Sequence, residues 1–323
     1  MRVLVASSSS EHSDQIIEDL RLAGLGAHTH TRLFTRADVE KPAVKHATIN
    51  TRFESEWSYE LSRAPLDFTN RNAERMHRLI ATHFPQWFVE QEATPEFTAR
   101  AVVDVARAWR ADLILLDVVT ADALHDELSL EDALSIARDA QCSVRVVQKH
   151  HKHEDRALRL LIALDGSEEC GQAVDVALRR EFSHNTKIYL LHVAEMPNAL
   201  PSQTLSMERS MVFHESGRAD WVRHMLSYFE SHLDPHFRHI ETHIRLGSPA
   251  QEILEFSKEY EIDAILVGAH GLERTGGTAG DRSSGGADRS SATSSHPLGR
   301  TATALIMHPQ RAAVEIVRRP SHW

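Results

Sequence analysis

Three glycines and a histidine near the end of the chain are placed to do chemistry. "AILVGAHG" reads as a strand that breaks into a Gly-x-x-Gly turn at Gly268 and Gly271, with His270 between them. Some 27 residues later Gly299 opens a helix running from about Arg300 to His308. Glycines let a backbone approach a phosphate closely, and a helix N-terminus offers free amides to it. His270 could contact such a ligand, but no general base with an oriented partner accompanies it, so contact is the reading and catalysis is not. The stretch between, Gly276 to Ser295, is almost wholly Gly, Ser, Thr, Ala, Asp and Arg, and reads as a flexible insertion. A lid is the alternative, with Arg274, Arg282 or Arg289 folding over phosphates.

Other constellations have plainer readings. Asp165-Gly166-Ser167 lacks the setting of a nucleophile elbow, and Ser167 reads as a helix cap. His232, His236, His239 and His243 have metal-like spacing, yet Asp234-Pro235 breaks the helix and His239 and His243 alternate outward on a strand, so they read as surface residues. "KHHKH" (149 to 153) reads as a solvated linker, and His28 and His30 as surface or interface residues.

The whole chain sets limits on what these residues can serve. It has 323 residues, 41% hydrophobic and 25% charged, an ordinary globular mix. The formal charge of −10 argues against nucleic acid as a partner. Apolar runs such as "LLIAL" are too short to span a bilayer. "MRVLVASSSSEH" reads as a first strand rather than a signal peptide. The two cysteines, Cys142 and Cys170, sit in apolar patterns and read as reduced core residues of a cytoplasmic protein.

The elements that must position the site come twice. "RVLVASSSSE" from Arg2 matches "RLLIALDGSE" from Arg159, each an apolar strand leading to a helix start. "ATPEFTARAVVDVARAWRADLILLD" parallels "GSPAQEILEFSKEYEIDAILVG": a proline turn, an amphipathic helix, an Asp and a continuous apolar strand. "CSVRVVQ" and "AAVEIVR" close the copies. Alternating strands and helices predict two α/β domains with parallel sheets, at 1–150 and 157–319, the second carrying the insertion at 276–295. The expectation is two five-stranded sheets, divided between His150 and Arg156, whose final strands lie close across a pseudo-twofold axis. Residues 38–72 are not placed, including the helix pattern around Glu54 to Leu61 within them.

These stretches, with "IYLLHVAE" and "LGRTATALIMHPQRAAVEIVRR", resemble the universal stress protein family, as a tandem whose first copy is degenerate. The resemblance implies an adenine nucleotide alpha hydrolase-like fold and a pseudo-dimer of the two copies. It further implies an adenine nucleotide, ATP, with or without Mg, in the second copy. On that resemblance Asp165 ends the first strand near adenine and ribose, and the backbone of Val193 meets the adenine. Gly268, His270, Gly271, Gly299, Arg300 and Thr301 then wrap the phosphates. The sequence departs from the family motif in two ways: Arg300 stands where Ser or Thr is expected, with Thr301 one place late, and the spacer is 27 residues rather than nine. In the first copy Ser8, Asp117 and Thr120 stand in place of Asp165, Gly268 and Gly271, which reads as an empty site. The function implied is a stress or signalling module, more a binding protein than an enzyme. A ligand-free dimerisation module and a slow ATP-hydrolysing enzyme are the alternatives. A homodimer and an unidentified protein partner stay open, while nucleic acid and membrane are not expected.

Overall fold

The computed structural model describes residues 1–7, 13–37, 71–118, 128–147, 156–194, 218–269, 301, 304–306 and 312–318. In chain order the elements are β1 (Arg2–Ser7), α1 (Ser13–Leu22), β2 (His30–Arg36), α2 (Arg71–His83), β3 (Phe88–Thr94), α3 (Ala99–Trp109), β4 (Leu113–Asp117), α4 (Leu130–Asp139) and β5 (Ser143–Val147). The second half adds β6 (Arg159–Ala163), α5 (Glu168–Arg179), β7 (Lys187–Ala194), α6 (Arg218–Leu233), β8 (His239–Leu246), α7 (Pro249–Glu259), β9 (Ala264–Gly268) and β10 (Ala313–Val317).

Strands β1, β4, β6 and β9 are near-continuous apolar runs because helices cover both of their faces. The helices start where the caps fall. Thr98 caps α3, Ser129 and Asp132 form a capping box on α4, and Ser167 caps α5 through the Cys170 amide.

The two expected sheets are one. Ten strands run in the order β3-β2-β1-β4-β5-β10-β9-β6-β7-β8, parallel within each half and antiparallel only between β5 and β10. Hydrogen bonds cross the join because two closing strands with free edges lie side by side, and pairing satisfies both. A continuous sheet could argue against a repeat, but the strand order argues for one: it reads first-half 3-2-1-4-5, then the same order reversed.

The hydrogen bonds repeat too. The Arg2 amide donates to Asp112 Oδ2 (2.7 Å) and its guanidinium to the Trp109 carbonyl (3.0 Å). The Arg159 amide donates to Asp263 Oδ2 (2.8 Å) and its guanidinium to the Tyr260 carbonyl (2.8 Å). Arg110 (φ 55°) and Glu261 (φ 48°) both turn the chain through the left-handed region between helix and strand. The Arg and the Asp were legible in both copies; their partnership was not.

On one sheet face a single core crosses the join, from Val102 and Ile136 through Val144, Val146, Val314 and Ile316 to Ile253 and Phe256. On the other face two cores stay apart: α1 and α2 over the first half, α5 and α6 over the second. Between them sit four charges. Arg145 on β5 donates twice to Asp19 of α1, at 2.7 Å each, and lies 3.4 Å from Glu315, its partner in the β5–β10 register. Glu315 also accepts from Arg180, which reaches back to the Ala23 carbonyl. The side chains of Arg145, Asp19 and Glu315 are 0% exposed and Arg180 is 4% exposed. Burial by itself would lower the Arg145 pKa, but Asp19 and then Glu315 outweigh it and raise it.

Removing Arg145 would leave two carboxylates buried around an unfilled place. Arg145→Met is expected to destabilise the protein by about 3–5 kcal/mol in urea unfolding; a loss below about 1 kcal/mol would contradict this account. Both cysteines are buried, and burial pushes the thiols up, to about 12 for Cys142 and about 11 for Cys170, where Asp165 adds to the shift. Neither should react with iodoacetamide at pH 8 in the folded protein, and both should react in urea. Rapid alkylation of either before unfolding would show the thiol to be reachable.

Candidate functional site

In an open parallel sheet, ligands sit beyond the strand C-termini where successive crossovers part to opposite sides. In the second half that point lies between β6 and β9, with β7 on the far side of β6. The register sets Ala163 beside both Leu191 and Val267. Two residues further on, Asp165 comes level with Val193, and Leu164 with Gly268. The sheet thus brings Asp165, Val193 and Gly268 to one edge. Val193 is partly buried and Gly268, the last residue of β9, is buried. Thr301 is helical and 2% exposed, and the nearby helical residues Leu305 and Ile306 join the core of the continuous face. His270, Gly271, Gly299 and Arg300 lie outside the described residues, as does the 276–295 insertion.

Asp165 is the side chain with unused capacity. Its Oδ1 accepts from the Ser167 amide (2.9 Å) and hydroxyl (2.7 Å), closing an Asx turn that leads into the cap of α5. Its Oδ2 is buried and, among the described residues, has no hydrogen-bond partner. A buried carboxylate oxygen without a donor is costly, by roughly 1–3 kcal/mol or more for a charged group. The first half fills the corresponding β1–β4 gap differently: Ser7 and Asp117, which the repeat aligns with Leu164 and Gly268, are joined by a hydrogen bond from the Ser7 hydroxyl to Asp117 Oδ2 at 3.0 Å, and Asp117 is 4% exposed.

Sequence reasoning missed three neighbours. Gly166 holds φ +84°, and a Cβ there would fall 2.1 Å from Cη2 of Trp221. The indole lies 6.2 Å from the ring of His192, edge to face, and His192 Nδ1 is 2.8 Å from the Leu164 carbonyl. The Asp-Gly-Ser triplet was read only for its Ser167 cap, and nothing local signalled the Trp221 contact.

The histidines are dispersed. His232 and His236 are exposed, on and beyond the end of α6, and His239 is exposed on β8. His243 is not outward-facing as expected: it packs edge-on against Phe256 (4.9 Å) and Tyr260 (5.1 Å) of the second half's α7 end, because that edge of the sheet is covered there. His30 packs against Phe88 and Trp109, 3.1 Å from Glu90. Among the described residues no group of three or more His, Cys, Asp or Glu could hold a metal ion. Among the same residues no helix is long and apolar enough to cross a membrane.

Comparison with known proteins bears on the second half most directly: residues 157–308 match the universal stress protein family. No curated protein matches the chain. Among solved structures, a universal stress protein from Archaeoglobus fulgidus DSM 4304 covers 100% of this chain and 97% of its own, at 14% identity and a TM-score of 0.51. A functionally unknown protein from Pseudomonas aeruginosa PAO1 covers 99% of this chain and 92% of its own, at 13% identity and a TM-score of 0.55. At such identities the likeness is one of fold, and it extends over both halves. The second half of this chain, residues 157–308, is a domain of the universal stress protein family.

Proposed function

We propose that the cleft between the ends of β6 and β9 binds an adenine nucleotide, ATP, and that the protein serves as a stress or signalling module rather than an enzyme. The observation that carries this reading is the buried Oδ2 of Asp165, which has no hydrogen-bond partner among the described residues. A ribose hydroxyl or an adenine amine is a donor of the right kind for it, and the described residues supply none. The position supports the reading as well, since Asp165 and Gly268 flank the switch point where glycine backbone and helix ends receive phosphates. His270, Gly271, Gly299, Arg300 and Thr301 belong to the phosphate side of this proposal. Mg, where present, would enter with the phosphates, because no described cluster holds it.

We further propose that the chain comprises two domains, 1–150 and 157–319, and that only the second binds ligand. In the first, the buried Ser7–Asp117 pair already fills the corresponding gap, and its carboxylate would repel a polyanion.

Mass spectrometry of small molecules released by denaturation, followed by calorimetric titration with ATP, tests the reading. Asp165→Asn keeps Oδ1 for the Ser167 turn and changes only the free arm. It is expected to weaken ATP by roughly ten- to a hundredfold, the loss of a charge-assisted hydrogen bond of about 1.5–3 kcal/mol. Ser8→Ala in the first half should leave affinity unchanged. Equal losses at both positions would mean the first half binds too, and no binding by the parent would favour a ligand-free module.

A further inference from the structure

Trp221 stands in a place that helix packing does not explain. The core stripe of α6 is Ala219, Val222 and Leu226, all buried, and Trp221 lies off it with 51% of its surface exposed. Its indole reaches away from the helix to the turn after β6 and rests on Gly166, where any side chain would collide with the ring. Gly166 is thus doubly constrained, by a φ of +84° and by the indole. Beside the ring, His192 is tied at Nδ1 to the Leu164 carbonyl, so the edge of the indole meets a fixed imidazole. A large aromatic surface is therefore positioned within one residue of Asp165, whose Oδ2 has no donor among the described residues, and half of it remains open to solvent.

We propose that Trp221 is the base-stacking residue of this site, so that the ligand is a planar heteroaromatic nucleoside or nucleotide whose ring lies on the indole while a donor satisfies Asp165. This rests on the nucleotide reading above and adds to it the residue that selects for a base. Stacking needs a π-face and tolerates any planar base, whereas Asp165 requires a hydrogen-bond donor. The two contacts divide the work: the indole holds the ring and the carboxylate chooses among rings and sugars by their donors. The contact is made to the base and not to the phosphates, so it acts alike on adenosine and ATP.

The full-length protein and its Trp221→Leu, Trp221→Phe and Asp165→Asn variants are titrated with adenosine, ATP and inorganic triphosphate by calorimetry. Indole emission is followed during the adenosine titration. Trp221→Leu is expected to weaken adenosine and ATP by the same factor, on the order of tenfold or more, and to leave triphosphate unchanged. Trp221→Phe should keep most of the affinity but lose the quenching that adenosine causes in the parent. Parent binding of adenosine that is weakened by Asp165→Asn yet untouched by Trp221→Leu overturns this inference alone, and marks the exposed indole as serving something other than this ligand. A parent that binds neither adenosine nor ATP overturns the nucleotide reading beneath it, and this inference with it. The side chain is half exposed, so loss of folding is not expected; circular dichroism of each variant confirms that comparison is made between folded proteins.

Discussion

The pairing of Arg145 with Glu315 across the β5–β10 join is the constraint on which the remaining architecture depends. Two apolar closing strands could slide past each other or pair with copies of themselves, since a flat apolar edge specifies register weakly. A guanidinium facing a carboxylate removes that freedom. Slippage by one residue would turn Arg145 into the apolar core on the opposite face, and self-pairing in the same register would set Arg against Arg or Glu against Glu. Such a network is weak evidence of net stabilisation, because taking four charges out of water offsets much of their attraction. Its effect is better understood as choice of partner. Asp19 and Arg180 complete it from α1 and the end of α5, so the helices of the two halves are fixed along with the strands.

An antiparallel join also decides where the two clefts lie. Strands within each half are parallel, so the C-terminal ends of β1–β5 and of β6–β10 emerge at opposite edges of the sheet. The two switch points therefore share no residues and are free to differ. At the N-terminal ends the halves are nearly identical in their bonding, Arg2 with Asp112 and Arg159 with Asp263, since these contacts tie the first strand of each half to the fourth. At the C-terminal ends one half holds a closed Ser7–Asp117 pair and the other an open Asp165. The repeat is kept where it holds the sheet together and abandoned where a ligand would sit.

Much of this was legible because it is periodic or local. The apolar strands, the amphipathic helices, the Ser167 cap and the buried cysteines all follow from short-range patterns, and the structure has them. The merger of two sheets into one was not legible, although "CSVRVVQ" and "AAVEIVR" each carry a single charge mid-strand at Arg145 and Glu315. Their meaning depends on contact between residues 170 positions apart. His243 misled for a related reason: strand alternation tells which side a residue takes, not whether α7 covers that side. At the site, Asp165 was found through resemblance and the Ser167 cap through its local pattern, while the Asx turn and Trp221, from a helix more than fifty residues on, declare themselves only in three dimensions.

The Asp165 carboxylate shows how a fold can hold a buried acceptor in a fixed direction. Oδ1 is spent on the turn, which fixes the side chain's direction at the mouth of the cleft and starts α5 at the same time. Oδ2 is then held buried, with no donor among the described residues. An exposed, solvated carboxylate would give up good hydrogen bonds to water on meeting a ligand, and the net gain would be small. A carboxylate already stripped of water has given them up during folding. The cost has been met by the rest of the sheet, and a ligand donor recovers more of its intrinsic strength. In the first half the gap between β1 and β4 carries Ser7 and Asp117, joined by a buried hydrogen bond. On the proposed reading, the difference between the halves comes down to whether a buried carboxylate oxygen has its donor built in or obtains it from a ligand.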